Sequence, residues 1–117
     1  FFAEKNNKLC EKLSKTITSL NIQDQTEIIN VDSLMFPFEK KIKDPLDIVF
    51  IDPPFRLNLV KKACALLREK DLISNKSIIC TEVEKEKELN EILLEWDLVK
   101  SKVAGQTRYC LLKKKNA

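Results

Sequence analysis

The run LDIVFIDPPF, residues 46–55, decides how this chain is read. Five of its first six residues are apolar, the continuous pattern of a strand covered on both faces. Asp52 ends the run and is held at once against two prolines and an aromatic ring. Pro53 restricts Asp52 to extended backbone, and Pro54 does the same to Pro53, so the corner is stiff before any ligand arrives. A carboxylate beside a proline carbonyl is an acceptor pair suited to an exocyclic amino group, which presents two N–H donors. Phe55 offers a flat face for a stacked base, worth ~1–3 kcal/mol. Such a corner would fix an amino nitrogen by placement and exclusion of water, without a strong base. A target base inside a helix would have to leave the stack to reach it.

Working outward, the segment EKNNKLCEKLSKTITSLNI repeats Leu9, Leu13, Ile17 and Leu20 along one helical stripe. The preceding FFA reads as the end of a strand, and TEIINV (26–31) as a second strand closed by Asp32 and Ser33. After the strand at 46–51, NLVKKACALLREK predicts a helix with Leu59, Ala63, Leu66 and Leu67 inward and Asn58 as its cap. SIICTEV (77–83) is a further apolar strand. KEKELNEILLEW predicts a short charged helix with Leu89, Ile92 and Leu93 inward. The end, DLVKSKVAGQTRYCLLKKK, predicts two antiparallel strands around Gly105.

Strands alternating with crossover helices imply a mostly parallel α/β sheet with a closing antiparallel hairpin. Ligands in such sheets sit beyond the carboxyl ends of the strands. Glu4, Asp32, Asp52 and Glu82 all fall at or just past those ends.

The 117 residues suit one smallish domain, with 44% hydrophobic residues for a core and 33% charged. No apolar stretch approaches the ~18–20 residues that cross a bilayer, and no basic-then-apolar leader precedes the first helix, so neither a membrane span nor export is expected. The net charge of +3 is compatible with a nucleic-acid partner without requiring one. Cys10, Cys64, Cys80 and Cys110 are scattered without a CxxC pair and read as reduced, mostly buried thiols. The chain has no histidine, which excludes histidine general-base and serine-histidine-acid mechanisms and disfavours a zinc site.

DIVFIDPPF resembles the (D/N/S)-P-P-(Y/F/W) motif of amino-directed methyltransferases that use S-adenosylmethionine. With TEVEKE after the next strand and KVAGQTRYCLL near the end, LDIVFIDPPFR resembles the RsmD family more specifically. That family methylates the N2 amino group of one guanine in bacterial small-subunit (16S) ribosomal RNA. The resemblance implies a Rossmann-like class I methyltransferase fold with strand order 3-2-1-4-5-7-6 and S-adenosylmethionine as cofactor. It implies Glu4 at the cofactor's ribose and Asp32, with Ser33 beside it, near the adenine. It places Asp52, Pro53, Pro54 and Phe55 at the target amino group and Arg56 toward phosphate. The turn from Val103 to Gln106 would rim the RNA side. The partner would be ribosomal RNA or the small-subunit particle, the location cytoplasmic, and the complete protein a monomer.

The chain departs from the family in one large respect. Its opening matches the end of strand 2, and its one glycine is Gly105, so strand 1 and the glycine-rich loop are lacking. Residues 1–117 are therefore expected to be the C-terminal portion of a single methyltransferase catalytic domain, which alone binds the cofactor weakly or not at all. The rival readings are a DNA adenine-N6 methyltransferase, which DPPF permits, and a non-catalytic remnant that binds RNA. Nucleotide hydrolase and nicotinamide readings lack their glycine-rich loops. Two-metal chemistry could draw on Asp32, Asp52 and Glu82, but the double proline suits an amino group better.

Overall fold

The chain adopts two α/β units, residues 1–37 and 38–117, in a computed structural model that describes residues 1–53 and 56–116. In the larger unit a four-stranded sheet has the order β3-β4-β6-β5. Its strands are β3 (Leu46–Ile51), β4 (Ile73–Glu84), β5 (Trp96–Ala104) and β6 (Thr107–Lys114). β3 and β4 run parallel, while β6 is antiparallel to both β4 and β5. This is the order that the resemblance implies for strands 4-5-7-6.

After a single-turn helix α2 (Phe38–Lys41), helix α3 (Arg56–Glu69) is the crossover between the two parallel strands. It buries Leu57, Val60, Cys64 and Leu67 against Ile79, Val83, Cys110, Leu112 and Trp96. The inward stripe therefore runs 57-60-64-67, with Leu59, Ala63 and Leu66 half-buried, not along the expected 59-63-66-67 line. Apolar residues cover more than half of this helix's circumference, so spacing alone did not fix which arc turns inward. Asn58 lies within the first turn and is no cap.

Both longer helices stop without glycine. Asp71 takes a left-handed φ of 56° and the Leu72 amide donates back to the Leu67 carbonyl at 3.0 Å. Asn21 (φ 57°) ends the first helix in the same way, with the Ile22 amide donating to Ile17 at 3.2 Å. Asn and Asp are the residues that bear this conformation best after glycine.

β4 begins earlier than the expected 77–83. Its pairing with β3 jumps from Leu46–Ile73 to Ile48–Ile78. The excursion is closed by Ser77, which is almost fully buried. Its hydroxyl donates to the Leu46 carbonyl and accepts from the Ser74 amide. The predicted helix over KEKELNEILLEW is absent; a single 3-10 turn, Ile92–Leu94, stands there. Its inward residues are nevertheless the expected ones, since Ile92 is buried and Leu89 and Leu93 pack on the core. β4 runs on to Glu84 and β5 starts at Trp96, and the apolar side chains between them reach the core without a regular helix.

The hairpin forms as predicted. Ala104 pairs with Thr107 around Gly105 and Gln106, with φ +61° at Gly105 and no positive φ at Gln106. A positive φ at the first central residue alone is the type II′ pattern, which matches strand twist. β5 carries a bulge between Leu98 and Lys100.

β3 departs from expectation. Val49 and Ile51 pack on the core beneath α3, but Ile48 and Phe50, on the other face, are 59% and 79% exposed. The continuous apolar run was read as a strand covered on both sides; within this unit one face is covered.

In the smaller unit, β1 (Phe2–Ala3) and β2 (Ile28–Ile29) pair in parallel, joined through α1 (Asn7–Ser19). β2 is shorter than the expected 26–31 because Phe2 and Ala3 offer two partner positions. Asn6 caps α1 by accepting the Leu9 amide at 3.0 Å. Of the predicted stripe, Ile17 is buried and Leu13 half-buried, while Leu9 and Leu20 are exposed. No helix among the described residues is long and apolar enough to cross a membrane.

Candidate functional site

Asp52 leaves the end of β3 immediately after Ile51, whose carbonyl accepts the Thr81 hydroxyl at 3.0 Å. Thr81 is buried, so this bond ties the last residue of β3 to the neighbouring strand just before the corner. Ser77 does the same at the other end of β3, at Leu46. The two hydroxyls fix both ends of the strand that presents Asp52. Asp52 is exposed and Pro53 half-buried. Among the described residues Asp52 has no ion pair or side-chain hydrogen bond, which leaves its carboxylate open to an incoming donor. Pro54 and Phe55, the other two expected members of the corner, lie outside the described residues. Arg56 opens α3.

Register fixes what stands beside Asp52. Ile51 pairs with Thr81 as the last rung of β3, so Asp52 and Glu82 each follow one residue after that rung. Burial alternates along the end of β4, with Thr81 and Val83 buried and Glu82 half-buried on the opposite face. Glu82 pairs across with Tyr109, and Tyr109 with Lys102. Directly paired side chains share a face, so Glu82, Tyr109 and Lys102 stand in one row on the face away from α3. Gln106 is exposed at the hairpin turn, its carbonyl accepting the Lys85 amide at 2.9 Å.

The expected cofactor residues belong to the smaller unit. Glu4 follows β1 and is half-buried; its amide donates to Ile29 at 3.0 Å, extending the parallel pair by one bond. Its carbonyl accepts the Cys10 thiol at 3.3 Å. In the orientation that satisfies its surroundings, the Asn30 amide donates to the carbonyls of Glu4 (3.0 Å) and Lys5 (3.1 Å). Asn30 thus clamps the bend in which Glu4 sits. Asp32 and Ser33 are both exposed. Asp32 folds on itself: its Oδ1 accepts the Leu34 amide at 3.0 Å, and its carbonyl accepts the Met35 amide at 3.0 Å. That Asx turn leaves Oδ2 free of backbone bonds. Glu4 and Asp32 both lie past the carboxyl ends of the two parallel strands. An open depression in this unit is lined by Asn7, Cys10, Glu11, Ser14, Ile28 and Asn30, and neither acid lines it.

Sequence reasoning missed Thr81, Ser77, Asn30 and Tyr109. The first was legible, since alternation in IICTEVE turns Thr81 inward. Tyr109 needed the β4–β6 register, which the Gly105 turn sets only once the strands are known to pair. Among the described residues, no three His, Cys, Asp or Glu side chains gather as a metal site would require.

The parallel β3–β4 pair, the antiparallel hairpin and an acid-proline corner beyond β3 define a partial Rossmann-like fold of the class I methyltransferase type. The family model described as conserved hypothetical protein 95 matches residues 1–113, and the chain belongs to that family. The chain is 36% identical over 112 residues to ribosomal RNA small subunit methyltransferase D of Haemophilus influenzae, covering 94% of the chain and 57% of the relative. It is 31% identical over 108 residues to the Escherichia coli protein of that name, covering 92% and 53%. The chain therefore spans about half the length of the curated relatives it matches. Solved structures share its fold. An H. influenzae protein proposed to be a methylase aligns with TM-score 0.77 at 32% identity, over 98% of this chain and 71% of its own. An E. coli protein proposed to be a methyltransferase aligns with TM-score 0.78 at 27% identity, over 98% and 62%.

Proposed function

We propose that this chain carries the base-binding corner of an S-adenosylmethionine-dependent methyltransferase acting on the N2 amino group of a guanine in small-subunit ribosomal RNA. The observation that carries this reading is the placement of Asp52 and Pro53. An open carboxylate leads a proline at the carboxyl end of a parallel strand whose two ends are pinned by buried hydroxyls. The naming of the relatives as small-subunit ribosomal RNA methyltransferases supports the same substrate class.

In this reading Asp52 and the Pro53 carbonyl accept hydrogen bonds from the two amino N–H groups and turn the nitrogen lone pair out of conjugation with the ring. The stacking role expected of Phe55 and the RNA contacts expected of Arg56 and Gln106 belong to the same reading. S-adenosylmethionine, when bound, supplies an electrophilic methyl group on a sulfonium. The two acceptors would hold the amino nitrogen where its lone pair can meet that methyl group. The nitrogen then sheds a proton, which Asp52 accepts or passes to water. Placement and loss of water do most of the work.

The acids of the smaller unit fit a cofactor's hydroxyl and amino donors. Glu4 is half-buried with its backbone clamped, suited to a ribose diol, and Asp32 keeps Oδ2 available, with Ser33 adjacent. We place residues 1–117 as the C-terminal portion of a single catalytic domain, cytoplasmic, and monomeric when complete.

The test is nucleoside mass analysis after incubating the full-length protein and S-adenosylmethionine with small-subunit particles, bare small-subunit RNA and DNA. N2-methylguanosine in RNA is expected. N6-methyladenine in DNA would replace this reading with the adenine one, and RNA binding without any transfer would leave a binding remnant.

A further inference from the structure

Resting on that reading, we infer that Glu82 selects the base: its carboxylate accepts the ring N1–H of guanine while Asp52 holds the neighbouring amino group. The juxtaposition comes from the strand ladder. Ile51 and Thr81 are paired, on strands roughly 4.8 Å apart, and Asp52, just past the end of β3, and Glu82 each follow one residue after that pair. Asp52 is exposed, and Glu82 is half-buried on the face away from α3. Among the described residues neither carboxylate has an ion pair or side-chain hydrogen bond, so both acceptors remain available. Tyr109, paired with Glu82 and 44% exposed, walls the same row, and Lys102 beyond it adds a positive charge.

Two acceptors side by side discriminate among nucleobases by elementary chemistry. In guanine the exocyclic amino group adjoins a ring N–H, giving a continuous edge of donors. In adenine and cytosine the amino group adjoins a ring nitrogen with a lone pair, which a carboxylate repels. A site with one acceptor binds all three amino groups. A second acceptor beside it favours guanine and penalises the others, because a buried polar group left unpaired is costly. The aspartate-proline motif is shared by enzymes acting on different amino groups; the second carboxylate supplies the discrimination that the motif lacks.

The experiment uses the full-length protein and a splint-ligated small-subunit RNA, once fragment mass analysis has located the methylated base. That position carries either guanine or 2-aminopurine, which keeps the amino group at C2 and loses the N1–H. Wild-type protein is expected to prefer guanine by on the order of 100-fold in kcat/KM. Glu82→Ala is expected to bring the two substrates within about threefold of each other by losing activity on guanine while keeping that on 2-aminopurine, which also reports that the variant is folded. Glu82→Gln, whose amide oxygen still accepts, should fall between, at roughly tenfold. An unchanged preference in Glu82→Ala, or an equal loss on both bases in Glu82→Gln, would overturn the assignment to Glu82 and leave the proposed reaction standing. Methylation of adenine, or of no base, by the wild-type protein would remove the reaction and the Glu82 role together.

Discussion

The Thr81 hydroxyl donates to the carbonyl of Ile51 at 3.0 Å, one residue before Asp52. The pair sits at the point where β3 stops being a ladder and becomes a corner, and Thr81 is only 5% exposed. Replacing it by valine keeps the shape but leaves a carbonyl at the strand end without its donor. Thr81→Val is expected to cost about 1–2 kcal/mol, read as a lower urea midpoint at unchanged slope. Thr81→Ser, which keeps the hydroxyl, should cost less. A midpoint for Thr81→Val equal to wild type would show that the bond does not anchor β3.

Asp52 is expected to act in turnover more than in RNA affinity, because its partner is one amino group among many contacts. Asp52→Ala should lower kcat on the order of 10²–10³-fold while the RNA Kd shifts by less than about fivefold. Single-turnover kinetics and filter binding on the full-length protein separate the two. Unchanged turnover would remove Asp52 from the mechanism.

Burial pushes the Cys64 thiol up to about 12 from 9.0. The folded state therefore holds its proton where the unfolded chain releases it. The stability this confers is fully present below about pH 9 and is lost as pH rises toward 12. Thiol alkylation gives a direct check. At pH 8, iodoacetamide should modify half-buried Cys10 and Cys80 while leaving Cys64 unmodified until urea unfolds the chain. Rapid labelling of Cys64 under native conditions would contradict the packing of α3.

At Gly105 a side chain would meet no atom within 4 Å, yet φ is +61°. A substitution there is penalised by backbone strain alone. Gly105→Ala should destabilise by about 1–2 kcal/mol and Gly105→Asn by less, as followed by thermal unfolding. Equal melting temperatures for Gly105→Ala and wild type would mean that the turn rearranges at no cost.

The parallel pair, the crossover helix and the final hairpin were legible because each has its own local signal. For LDIVFI it is a continuous apolar run, for NLVKKACALLREK a helical spacing, and for VAGQTRY a glycine between alternating stretches. What stayed hidden depends on partners distant in sequence. The inward arc of α3 is chosen by Ile79 and Trp96. Phe50 is as apolar as Ile51, but only the sheet decides that Ile51 is covered and Phe50 exposed. The acids Asp52 and Glu82 could each be read as rim residues, while their adjacency required the Ile51–Thr81 register. The helix expected over residues 85–96 has the right inward residues but not the helix: β5 takes Trp96, and only a 3-10 turn, Ile92–Leu94, forms before it.

The bulge in β5 has an evolutionary consequence. Before it Leu98 faces the same side as Leu112, and after it Lys100 pairs with Leu111 and Lys102 with Tyr109. Val99 is the extra residue there, so its deletion would leave Leu98 opposite Leu112, Lys100 opposite Leu111 and Lys102 opposite Tyr109, and would only regularise the ladder. A one-codon loss at the bulge is therefore absorbed in descendants, whereas the same loss elsewhere in β5 would turn side chains to the wrong side of the sheet.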